Sequence, residues 1–140
     1  MSPDGRIVIS DPNNNRIVMI DGDSVKILED SSNVCHHAVT ALADGRVCFS
    51  CFVGRLCILN PDTLEEIFYN QLPNRIGTWA LTCENIGTVY VATTDCSVYR
   101  VGVGKIIKVV DNLPFDHITD IDIADDNRIY VAGYEKIEEK

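Results

Sequence analysis

Apolar residues in this chain come in short runs, and clusters of Asp, Gly, Asn and Pro stand between them. In the middle of the chain the runs are "AVTALA" (38–43), "RVCFSCF" (46–52), "RLCILN" (55–60) and "EEIFYN" (65–70). They are followed by "TWALT" (78–82), "TVYVATT" (88–94), "SVYRVG" (97–102) and "KIIKVVD" (105–111). Their length, their content of β-branched and aromatic residues and the turn residues that bound them predict strands in an antiparallel meander. No stretch of ten residues keeps a convincing 3.6-residue rhythm, so no helix is expected.

The pattern repeats. "DGRIVIS" starts at Asp4, "DGRVCFS" at Asp44 and "DNRIYVA" at Asp126, with "IGTVYVA" at Ile86 as a degenerate copy. The strands that follow begin at Ile7, Val47, Val89 and Ile129, a spacing of about 40 residues that signals a repeat architecture. The second strand of each unit is apolar on nearly every residue, as a strand covered on both faces must be. Four-stranded units at this period are the blades of a β-propeller. The expected fold is therefore all-β, an arc of three to four antiparallel blades forming one partial domain over residues 1–140, with units near 4–30, 36–70, 75–111 and 117–140. The strand count is three, four, four and two, short of a closed ring. Two explanations are open: the chain is a piece of a longer propeller, or a second copy completes the ring as a homodimer.

The first unit carries a more specific likeness. Asp4, Gly5, Arg6, Asp11, Asn14, Asn15, Arg16, Ile17 and Asp21 together resemble the NHL repeat. That resemblance implies a propeller, usually six-bladed, and a protein-binding role such as the target-recognition part of a tripartite-motif ubiquitin ligase. It also leaves open a metal-dependent propeller enzyme of the lactonase or lyase type, or an RNA-binding propeller.

Charge weighs on these choices. With 21 acidic and 12 basic residues the formal charge is −9, which repels phosphate backbones and disfavours nucleic acid as a partner. No apolar stretch approaches the ~20 residues that cross a membrane, and the N-terminus has no signal-peptide pattern, so no membrane role and a cytoplasmic location are expected. The six cysteines fall mostly in apolar runs, and the one pair separated by two residues, Cys48 and Cys51, sits in a strand-like run, which predicts buried reduced thiols. Cys48 and Cys51 should point to opposite faces of one strand, and Cys51 and Cys57, flanking a tight turn, are the pair placed to bond.

Candidate chemistry is sparse. Aligned on their second strands, the units set His36 against His117, with one extra residue assigned to the later turn, and put Arg75 in the matching place of the third unit. Such positions precede the innermost strand, where three blades could present side chains around a channel mouth. His36, Arg75 and His117 are thus the binding candidates, together with the turn residues Asn13, Asn14 and Asn15. Asp120 and Asp122 alternate with isoleucines and share one strand face; with His36 and His117 they are weak metal candidates. No cofactor and no catalytic residue are expected, and a protein partner is.

Overall fold

A computed structural model describes residues 5–11, 16–30, 38–51, 54–85 and 88–135. The Asn13–Asn15 turn and His36 lie outside the described residues. Four antiparallel sheets follow one another along the chain. The first holds β1 (Ile7–Asp11), β2 (Arg16–Asp21) and β3 (Ser24–Asp30); the second holds β4 (Val39–Ala41), β5 (Val47–Ser50), β6 (Arg55–Leu59) and β7 (Glu66–Gln71). The third comprises β8 (Thr78–Asn85), β9 (Thr88–Thr93), β10 (Val98–Gly102) and β11 (Lys105–Val110), and the fourth β12 (His117–Ile123) and β13 (Ile129–Tyr134). Every strand pairs with its neighbour in sequence, the meander expected from the turn residues. A 3-10 turn at Pro73–Arg75 links the second sheet to the third.

The continuous apolar character of the second strands has its reason in three cores, one between each pair of successive sheets. Ile17, Met19 and Leu28 of the first sheet meet Val47, Phe49, Cys57 and Leu59 of the second. Cys48, Leu56 and Ile58, on the second sheet's other side, meet Val89, Val91, Tyr99 and Val101 of the third. Ala80, Tyr90, Ala92 and Val98 in turn meet Ile118 and Ile121 of the fourth. Consecutive residues of β5 and β9 therefore enter different cores, and after Thr88 no position on these strands is left for a side chain facing water.

The recurrent Asp-x-Arg has an equally local cause. Asp44 Oδ1 accepts the backbone N–H of Arg46 at 3.0 Å, and Arg46 Nε closes an ion pair to Oδ2 at 2.7 Å. Asp126 and Arg128 repeat both contacts at 3.1 and 3.3 Å. The residue between them turns through the left-handed region, with φ of 87° at Gly45 and 66° at Asn127, which selects Gly or Asn. Burial pushes the Asp44 carboxyl up, but the Arg46 N–H and guanidinium outweigh it and hold the carboxyl below its ordinary value. A lowered folded-state pKa stabilises the fold above the unfolded value near 4, and that contribution disappears as pH falls through the folded value. Asp44→Asn is expected to lower the urea midpoint at about pH 7 and to match the parent at about pH 2. Equal deficits at both pH values would show that the carboxylate charge is not what stabilises the turn.

Cys48, Cys51 and Cys57 are buried as the sequence indicated, whereas Cys83 and Cys96 are only partly buried and Cys35 lies outside the described residues. Cys48 and Cys51 belong to cores on opposite sides of the second sheet. Cys51 and Cys57 are free thiols in sulfur contact at 3.8 Å. Burial, reinforced by the Cys57 and Cys83 thiols, pushes Cys48 up to about 12.

Candidate functional site

His117 opens β12 with its ring between two others. The Trp79 ring centroid is 4.2 Å away, tilted by 35°, and the Tyr134 centroid is 5.2 Å away on a stacked ring. Each neighbour arrives by a different route. Tyr134 is the cross-strand partner of His117 on β13. Trp79 comes from the adjacent sheet because β8 carries a bulge: Thr78 pairs with Thr93 and Ala80 with Ala92, so Trp79 is the unpaired extra residue. A bulge bends its strand and re-aims the side chain it carries. The result is a partly exposed aromatic group across the boundary of the third and fourth sheets, with Tyr134 48% exposed.

Beside it lies a shallow open hollow of about 340 Å³ lined by Leu113, Pro114, Phe115, Asp116 and Glu135. Its wall is well held. Leu113 donates to the Cys96 carbonyl at 3.0 Å, Asp116 to the Tyr134 carbonyl at 2.9 Å, and Cys96 Sγ to the Phe115 carbonyl at 2.8 Å. The Phe115 ring lies over Gly133, where a Cβ would come within 2.7 Å of the ring and 2.5 Å of the His117 carbonyl. A glycine at this point of β13 is what lets the hollow approach the aromatic group.

The other candidates are distributed differently. Arg75 ends the 3-10 turn, exposed and with a φ of 54°. No hydrogen bond, ion pair or ring contact joins it to His117. Register makes Gly77 rather than Arg75 the third sheet's equivalent of His117, since Thr78↔Thr93 corresponds to Ile118↔Gly133. The surplus residue of the fourth unit is a bulge at Thr119 within β12, not a lengthened turn: six positions separate Ala41 from Val47, and six separate Ile123 from Ile129. Asp120 and Asp122 share one exposed face, opposite Ala132 and Tyr130, and each carboxylate accepts the N–H of the following residue at 2.9 Å. Among the described residues no three His, Cys, Asp or Glu side chains gather closely enough to hold a metal ion.

Chemically, the site offers grouped aromatic rings beside a hollow whose exposed lining is more polar than apolar and includes Asp116 and Glu135. Such a surface suits a segment that sets an apolar or aromatic side chain beside basic ones, because aromatic rings present large contact area at little conformational cost. Trp79, Tyr134 and Phe115 were not among the residues singled out from the sequence. The surplus residue between His117 and Ile129 was the signal for the Thr119 bulge. Trp79 lay unmarked within an apolar run.

No family model matches the chain, and no curated protein matches it in sequence. Solved structures do. YCF48 from Cyanidioschyzon merolae overlays with a TM-score of 0.78 at 15% identity, covering 96% of this chain and 46% of that one. YCF48 bound to D1 peptide gives 0.76 at 15% identity, with 95% and 46% covered. Virginiamycin B lyase from Staphylococcus aureus gives 0.73 at 16% identity, with 94% and 46% covered. The chain spans about half the length of each. At these identities the likeness concerns the fold, and the fold is a partial β-propeller.

Proposed function

We propose that this arc is a non-enzymatic interaction module of NHL-like type, which binds a protein partner at the boundary of its third and fourth sheets. The observation that carries the reading is the Trp79–His117–Tyr134 group beside the hollow of Leu113, Pro114 and Phe115. Binding energy at protein interfaces concentrates on a few aromatic and Arg anchors, and here aromatic rings meet at a partly exposed surface. The net charge of −9 and the nearby Asp116 and Glu135 favour a segment bearing Lys or Arg. The capture of a peptide by YCF48, a fold neighbour, supports this kind of use of the scaffold. The Asp-x-Arg turns support the NHL-like assignment, and with it a place in the target-recognition part of a larger ligase-type protein.

Trp79 is the chain's single tryptophan, so its emission reports on the site directly. Titration with a panel of ten-residue peptides, basic-aromatic against acidic-aromatic of matched hydrophobicity, is expected to give saturable emission shifts with the basic set alone. Tyr134→Ala should weaken that binding at least about tenfold, in line with loss of an aromatic anchor. Indifference of Trp79 to every peptide, or an unchanged affinity in Tyr134→Ala, would refute the assignment of this surface.

A further inference from the structure

Two thiols meet on the side of the second sheet that faces the first. Cys57 pairs with Phe49 on the β5–β6 ladder. Cys51 lies one step beyond the last residue of β5, and its N–H donates to the Arg55 carbonyl at 2.7 Å. Residues two apart along a strand share a face, so Cys51 and Cys57 are diagonal neighbours in the core shared with the first sheet. Their sulfurs approach to 3.8 Å. No other cysteine among the described residues is placed to compete. Cys48 and Cys83 belong to the core on the sheet's other side, and Cys96 Sγ donates to the Phe115 carbonyl.

Position and charge separate this pair from Cys48. That thiol is 0% exposed, whereas Cys51 stands at the rim of its core, 9% exposed, with Cys57 behind it. The Cys51 thiol donates to Cys57 and, helped by the Arg55 guanidinium, holds it below the ordinary thiol value against burial. A disulfide needs its sulfurs about 2 Å apart, so one residue must move inward. Cys51 is at the turn end of the ladder, where such a shift disturbs the fewest strand hydrogen bonds.

We propose that Cys51 and Cys57 are a reversible oxidation site, converted by hydrogen peroxide into a disulfide that staples the turn end of β5 to β6. A thiolate of the pair attacks one peroxide oxygen: the S–O bond forms, the O–O bond breaks, and the departing hydroxide takes up a proton as water. The second sulfur then attacks the resulting sulfenic acid. An S–S bond forms, the S–O bond breaks, and the hydroxyl leaves as water with the second thiol's proton. Two thiols are oxidised and one peroxide is reduced to two waters. The staple lies beside Gly54, whose carbonyl accepts the Leu72 N–H at 3.0 Å where the chain crosses towards the third sheet. The inference does not rest on the partner surface at Trp79.

Peptide mapping of the full chain after brief exposure to micromolar hydrogen peroxide tests it. Trypsin cuts after Arg46, Arg55 and Arg75, so the bond is read under non-reducing conditions as a link between peptides 47–55 and 56–75. Fragmentation then places it at Cys51 rather than Cys48. The expected result is that link as the chief product, removed by dithiothreitol, with Cys48 still reduced. Cys51→Ala takes away the thiol that donates to Cys57 and should slow thiol loss at Cys57 at least about tenfold. Absence of the link in the parent chain overturns the proposal, whatever the variant does. A chief product that joins either residue to any other cysteine overturns it as well, and so does unchanged thiol loss at Cys57 in Cys51→Ala.

Discussion

Gly54→Val is expected to remove about 3 kcal/mol or more of stability, a large share of the roughly 5–15 kcal/mol that holds a domain of this kind together. Gly54 begins the approach to β6 with a φ of 77°, a region that costs a β-branched residue about 1–2 kcal/mol by itself. Lack of space is the greater obstacle. A Cβ at this position would lie 2.2 Å from the Ile76 carbonyl oxygen and 2.9 Å from the Leu72 Cβ. Both belong to the segment that leaves the second sheet and enters the third, and the Leu72 N–H is already bonded to the Gly54 carbonyl at 3.0 Å. Backbone on one side and a buried leucine on the other cannot retreat as the end of a flexible side chain would. Urea unfolding measures the loss, and a deficit below about 1 kcal/mol would show that this crossing is looser than its distances.

Phe49→Ala should be comparably damaging, at about 3–5 kcal/mol. The ring is 1% exposed in the core shared by the first two sheets, packed with Ile17, Met19, Cys57 and Leu59. Its removal leaves a void that walls contributed by two separate sheets cannot close together. Phe68→Ala is the informative contrast. That ring is 56% exposed on β7, with the Arg55 guanidinium 5.4 Å from its centroid, and its loss should cost no more than about 1 kcal/mol. If the two substitutions proved equally mild in chemical denaturation, the core between the first two sheets would not be carrying its share of the fold.

The fold was legible because its causes are periodic. Val47, Val89 and Ile129 mark the same strand in successive sheets, and the turn residues between runs fixed the meander; the strand tally of three, four, four and two agrees with the sheets observed. The site was legible only in part. His117 stood out by residue type, but its surroundings depend on bulges at Trp79 and Thr119. An extra residue inside an apolar strand leaves no mark in composition. Counting alone therefore put the fourth unit's surplus in a turn and set Arg75, two residues before Gly77, in the matching place of the third. Likewise, nothing in the local sequence of Tyr134 shows that β13 will deliver it to the face of an imidazole brought by β12.

The three separate cores bear on how the molecule comes apart. Each sheet's apolar contacts run to the sheet before it and the sheet after it, so stability is handed along the chain in links rather than held at one centre. Opening should begin where a link is missing on one side and travel inward, with the second and third sheets the last to surrender their amide protons to solvent exchange. The Trp79–His117–Tyr134 surface bridges the final link. It would therefore loosen early under mild denaturant, while the middle of the arc still holds its shape.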